Sequence, residues 1–215
     1  MTHQRTRIKI CGITQLENLL AVEACGVDAL GFVFYPPSPR AVTAAQAATL
    51  VKALGPFTQR VGLFVNANAR EVEAVLAEVA LSMLQFHGDE PAGFCEQFGR
   101  PYFKALRMRD DLDIAAAMAA HPKAAGFLLD AYRPGVPGGT GEQFDWARVP
   151  AHNRRPLVLA GGLSAGNVAQ AIEQTGVYGV DLSGGVEAAP GVKDIEKVRA
   201  LVAAVKAADT AQAAT

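Results

Sequence analysis

Short runs rich in Val, Ile, Leu and Phe recur along the chain, beginning near Arg7, Ala29, Arg60, Met83, Tyr102, Gly126, Leu157 and Gly179. Between them apolar residues fall at helical spacing: Val72, Val75, Leu76 and Val79; Val168, Ala171 and Ile172; Ile195, Val198, Leu201, Val202 and Val205. The pattern predicts eight strands, most followed by a turn and a helix. Thr14 with Glu17, Thr43 with Gln46, Asn68 with Glu71, and Ser164 read as helix starts. Gly26, Gly55, Gly99 and Gly176 read as helix ends. The sixth unit departs from the pattern: Asp130 to Phe144 is rich in Gly and Pro, which leaves room only for a short helix around Trp146.

Strands alternating with helices imply a parallel sheet, either closed or open. The closed form is favoured because barrel strands tolerate inward polar residues near their C-terminal ends. Cys11, His87, Asp130 and Asp181 fall there, with Lys9, Gln85 and Lys104 deeper. An open dinucleotide-binding sheet would carry G-x-G-x-x-G after its first strand, and Cys11-Gly12-Ile13-Thr14 does not supply it. The expectation is an α/β fold, a (β/α)8 TIM barrel forming a single domain over 1–206. It has a degenerate sixth helix and a frayed Ala-rich tail over 207–215.

At 215 residues the chain can bury a full core. A formal net charge of -1 without a basic run argues against nucleic acid or an anionic membrane as partner. A small molecule is therefore the expected ligand. Cys11, Cys25 and Cys95 are too scattered for a disulfide framework or a zinc site, and the histidines show no ligand spacing, so no metal is expected. The first residues lack the apolar core of a signal peptide, and no apolar run reaches membrane-spanning length. A reduced, cytoplasmic protein is expected, as a monomer or a homodimer.

Candidate chemistry gathers at the predicted strand ends. Cys11 leaves the first strand on the same face as Lys9, either as a reacting thiol or as a small buried hydrophobe. Lys9 is close enough to lower the thiol's pKa. Asp130 and Asp181 each end an apolar strand, where burial raises a carboxyl's pKa and suits it to general acid work. Each is alternatively a partner for an inward lysine. Asp130 leans toward catalysis, whereas pairing is at least as good a reading for Asp181. Two glycine turns, Gly161-Gly162 and Gly184-Gly185, follow the last two strands, where barrels commonly grip phosphate; the alternative is simple tight turning. Arg40, on a loop with three prolines, is either a clamp for a carboxylate or phosphate, or merely solvated. His87 reads as a hydrogen-bonded wall residue.

Several of these segments have a familiar form. Lys9-Ile10-Cys11-Gly12-Ile13-Thr14, Gly31-Phe32-Val33-Phe34 with Ser38-Pro39-Arg40, and Gln85-Phe86-His87-Gly88 are three of them. Gly138-Gly139-Thr140-Gly141 with Phe144-Asp145-Trp146, Leu159-Ala160-Gly161-Gly162-Leu163, and Val180-Asp181-Leu182-Ser183 complete the set. In order from about Arg7 to Lys206 the chain resembles the phosphoribosylanthranilate isomerases of tryptophan biosynthesis. One departure is Gly184, where that family usually carries a second serine, which bears on phosphate affinity more than on activity. The resemblance implies a cofactor-free Amadori rearrangement of a phosphosugar substrate on a (β/α)8 barrel. It makes Asp130 the general acid at the ribose ring oxygen and Cys11 the general base at C2'. It also gives Arg40 the anthranilate carboxylate and the two glycine turns the phosphate, with His87 and Asp181 counted among the substrate-binding residues. Two other readings compete: another phosphosugar isomerase or epimerase on the same barrel, and a silent phosphometabolite-binding protein. The second would have no need of Cys11 or Asp130.

Overall fold

The structure, a computed structural model, describes residues 5–131, 144–151 and 155–213. Its eight parallel strands are β1 (Arg7–Cys11), β2 (Ala29–Val33), β3 (Gln59–Phe64), β4 (Met83–Phe86), β5 (Tyr102–Arg107), β6 (Gly126–Asp130), β7 (Leu157–Leu159) and β8 (Gly179–Leu182). They pair in chain order, and β8 closes back on β1. Around them lie helices α1 (Leu16–Ala24), α2 (Ala44–Lys52), α3 (Ala69–Glu78), α4 (Ala92–Glu96), α5 (Ile114–Ala119), α6 (Val168–Thr175) and α7 (Ile195–Ala213). The sixth unit holds only a 3-10 turn at Trp146–Arg148 among the described residues. After β8 come a 3-10 turn, Gly184–Val186, and a hairpin of β9 (Glu187–Ala189) and β10 (Val192–Lys193).

Strand alternation sorts side chains into two environments. On β1, Ile8 and Ile10 join the large core between barrel and helices, whereas Cys11 packs inside the barrel with Val33 and Leu63. On β5, Ala105 faces inward with Leu128, Val158 and Ala160, while Leu106 faces the helices. Lys104 has the parity of Leu106. It therefore points outward, not into the barrel as expected, and its ammonium pairs with Glu90 at 3.0 Å.

Several helix boundaries follow the sequence closely. Thr43 with Gln46 and Asn68 with Glu71 form complete capping boxes on α2 and α3, each cap contributing about 1 kcal/mol. Gly176 caps α6 at φ 57°, a left-handed conformation that glycine adopts without strain. Two expected starts are corrected. Thr14 does not cap α1, which opens at Leu16 after Gln15, because the Thr14 hydroxyl donates to the Gly191 carbonyl at 2.6 Å. Asn167, not Ser164, stands at the start of α6, and its side-chain oxygen accepts from the Ser164 amide at 2.8 Å. α7 continues to Ala213, past residue 207, where the tail is expected to begin. Asp209 accepts from the Thr6 amide and hydroxyl at 2.9 and 2.6 Å, which ties the last turns to the start of β1.

Candidate active site

The C-terminal ends of the strands surround one cavity of about 460 Å³. Cys11, Arg40, His87, Asp130, Gly161, Gly162, Asp181, Gly184 and Gly185 all line it, so the structure brings every candidate residue together. The Gly138–Gly141 segment lies outside the described residues.

On one side, Cys11 and Lys9 project inward from β1. Gly31, their neighbour on β2, makes this possible: a Cβ there would fall 2.7 Å from Cys11 Sγ and 3.2 Å from Lys9 Nζ. Lys9 Nζ donates to Asp181 Oδ2 at 2.7 Å across the β1–β8 register, where the two residues are directly paired. Burial works against the Lys9 charge, but Asp181 and Cys11 outweigh it and hold the ammonium above its ordinary value. The thiol does not behave as expected. Burial pushes Cys11 up, and although Lys9 and Lys193 pull it down, Asp181 opposes them and the net direction is upward. Lys9 already has a carboxylate partner, so its effect on the thiol is partly cancelled.

On the opposite side, Asp130 closes β6 with its carboxyl buried. Its Oδ2 lies 3.0 Å from His87 Nε2, and His87 Nδ1 lies 3.0 Å from Gln85 Nε2. His87 is a hydrogen-bonded wall residue whose partner is Asp130. Asp181, rather than Asp130, is the inward lysine's partner.

Arg40 reaches the cavity from the loop after β2 and is not simply solvated. Its Nε and Nη2 donate to the two carboxylate oxygens of Glu187 at 2.9 and 2.7 Å, and Lys193 Nζ donates to Glu187 at 2.7 Å. Burial would raise the Glu187 pKa, but Arg40 and Lys193 more than offset it and the carboxyl ends below its usual range. Gly12, at φ 81°, leaves room for the Arg40 stem, which a Cβ there would meet at 2.6 Å. Glu187 was not anticipated. Its only sequence signal is its place directly after the Gly184-Gly185-Val186 turn.

The two glycine turns touch one another. Gly161 and Gly162 take left-handed φ values of 83° and 62°, and a Cβ on Gly185 would fall 2.0 Å from the Leu163 carbonyl oxygen. Ser183 Oγ donates to the Cys11 carbonyl at 2.9 Å, fixing the second turn to the end of β1. Chemically, the cavity offers a thiol and a carboxyl from different strands, a cation and two close-packed glycine turns.

With that geometry in view, the family model described as N-(5'phosphoribosyl)anthranilate (PRA) isomerase matches residues 8–204. The chain is 62% identical over 195 residues to an N-(5'-phosphoribosyl)anthranilate isomerase from Cellvibrio japonicus, covering 91% of each chain. Its fold is similar to the crystal structure of phosphoribosyl anthranilate isomerase from Thermotoga maritima, with a TM-score of 0.86 and 37% identity over 94% of this chain and 99% of that one. A second similar structure holds that enzyme type in complex with reduced 1-(o-carboxyphenylamino)-1-deoxyribulose 5-phosphate. Its TM-score is 0.83, with 36% identity over 94% of this chain and 99% of that one.

Proposed function

The chain belongs to the phosphoribosylanthranilate isomerase family, an isomerase of tryptophan biosynthesis, and on that premise we propose how its own residues carry out the reaction. Asp130 gives its proton to the ribose ring oxygen as the C1'–O bond breaks, and the anilino nitrogen's lone pair forms a Schiff base. Cys11, as thiolate, then removes the C2' proton. That C–H electron pair becomes a C1'=C2' double bond and the nitrogen recovers its lone pair. The resulting enolamine tautomerises to the aminoketose, so an Amadori rearrangement is completed without a cofactor.

The observation that carries this reading is the convergence of Cys11 and Asp130, from strands at different points of the barrel, on one cavity that also holds both glycine turns. The upward shift of the thiol fits the order of steps. A higher pKa makes the thiolate scarcer but a stronger base, and the cationic Schiff base formed first adds positive charge beside it, which favours its ionisation. Arg40 takes the anthranilate carboxylate with the guanidinium edge that Glu187 leaves open, and the turns at Gly161-Gly162 and Gly184-Gly185 hold the phosphate through backbone N–H groups. The analogue in the similar structure carries both a carboxyl and a phosphate, as this division requires. His87 supports Asp130 and Asp181 supports Lys9 at the edge of the substrate space. The cytoplasmic placement is part of the same reading; no described helix is long and apolar enough to cross a membrane.

The test is an assay with freshly made phosphoribosylanthranilate, following the loss of its fluorescence in wild type, Cys11→Ala and Asp130→Asn. Turnover is expected to fall by about 100-fold or more in both variants, each still binding a product analogue. Full turnover by either variant would remove that residue from its role.

A further inference from the structure

A buried amide stands behind the Asp130 carboxyl. Gln85 alternates with Leu84 and Phe86 on β4 and His87 follows the strand's last residue; both line the cavity, and Gln85 is fully buried. Gln85 Nε2 meets His87 Nδ1 at 3.0 Å, and His87 Nε2 meets Asp130 Oδ2 at 3.0 Å. An amide nitrogen donates and does not accept, so Nδ1 must present its lone pair. The ring proton is then on Nε2, directed at Asp130. Turning the amide over would set Oε1 against Nδ1 and leave both amide N–H groups unmet in the interior. In the present orientation one N–H meets Nδ1 and Oε1 is left without a partner.

The tautomer decides what Asp130 can do. With Nε2–H donating, Oδ2 is an acceptor and any proton on the carboxyl is carried by Oδ1. In the opposite tautomer the Nε2 lone pair would accept from Asp130 and retain the proton that the acid must deliver. We infer that Gln85 is a positioning residue for the general acid: it holds His87 as the Nε2–H tautomer, which leaves the Asp130 proton free for the substrate. The inference rests on Asp130 acting as the acid. When the proton passes from Oδ1 to the ring oxygen, the charge left on the carboxylate strengthens its bond from Nε2–H. His87 itself gives up no proton. The other charged groups around His87 are Asp181 with Lys9 inside the barrel, and Arg107, whose Nη2 reaches the His87 carbonyl at 3.4 Å. Lys104 reaches the Phe86 carbonyl from outside. None of them contacts Nδ1, which leaves Gln85 to set the tautomer.

Long-range 1H–15N spectra of histidine-labelled wild-type protein read the ring tautomer without any variant, His87 being identified by the signals lost in His87→Asn. A neutral Nε2–H ring is expected; an Nδ1–H ring overturns the inference. Gln85→Glu replaces the donor by an acceptor and is expected to turn the ring to Nδ1–H and lower kcat about 100-fold or more, with KM little changed. Gln85→Met, of similar volume, is expected to lose less. An Nδ1–H ring in Gln85→Glu with wild-type kcat would also overturn the inference. Failure of the acid assignment looks different: Asp130→Asn would then keep full kcat whatever the tautomer of His87.

Discussion

Lys9 with Asp181 and Lys104 with Glu90 are the same chemistry placed on two sides of one sheet. The N–O distances are 2.7 and 3.0 Å, and all four residues are between 5% and 7% exposed. Lys104 donates as well to the Phe86 and Gly88 carbonyls at 3.3 and 2.6 Å, and Glu90 accepts from the Asn66 and Gly88 amides at 2.7 and 2.9 Å. This pair ties together the turns after β3 and β4 and faces the helices. Lys9 and Asp181 instead lie inside the barrel, where Asp181 lines the cavity with its Oδ1 unpartnered and Cys11 shares the strand face of Lys9. A buried ion pair saturated by backbone groups fixes the fold. On the proposed mechanism, the pair left partly unsatisfied beside the thiol bears on its ionisation, and the two pairs are separated by the side of the sheet that Lys9 and Lys104 take.

The largest expected effect is on the inner face. Cys11→Ala and Asp130→Asn are each expected to lower kcat by about 100- to 10,000-fold, the range of positioned proton transfer, with melting temperature little changed. A comparable fall in kcat for a folded outer-face variant would break the division. Next in size is Lys104→Met, which leaves the Glu90 carboxylate buried without its cation and is expected to cost about 3–5 kcal/mol in chemical denaturation. The surviving folded protein is expected to keep the wild-type pH profile of kcat/KM.

The division was legible in the sequence only in part. Alternating strands and helical spacing gave eight strands whose starts fall within a residue or so of those observed, because these patterns report local periodicity. The inward set Cys11, His87, Asp130 and Asp181 followed from the same parity. Lys104 did not: β5 begins at Tyr102 as expected, but Ala105 takes the inward face with Leu128, Val158 and Ala160, which puts Lys104 with Leu106 on the helix side, a choice of face that the strand's own start does not reveal. Thr14 failed as a cap because its hydroxyl prefers Gly191, and the end of α7 is held by Thr6; both partners are distant in sequence. The same is true of Glu187, which orients Arg40 from the hairpin after β8. The direction of the Cys11 shift depends on how burial and Asp181 combine against Lys9, which spacing along β1 does not reveal.

A smaller effect concerns acid. Glu187 has a folded-state pKa below its ordinary 4.5 because Arg40 and Lys193 outweigh burial. Its contribution to stability is therefore complete above the ordinary carboxyl range and is lost as pH falls through the lower folded value. Glu187→Gln is expected to be less stable than wild type near neutrality and to converge with it in acid. In the same region, Arg40→Ala is expected to weaken carboxylate-bearing substrates while sparing a bare ribose phosphate analogue; equal losses for both would make its role general rather than specific.

The contrast between the two ion pairs is tested most directly by the pH dependence of iodoacetamide alkylation at Cys11. The modified peptide is followed by mass spectrometry in wild type, Asp181→Asn and Lys104→Met, with turnover measured on the same samples. In wild type the midpoint is expected above the ordinary thiol value of 9.0, with turnover lost in proportion to Cys11 modification. Asp181→Asn frees Lys9 and is expected to move the midpoint down, while Lys104→Met leaves it in place. Intact turnover after complete alkylation of Cys11, or equal movement of the midpoint in both variants, would contradict the account.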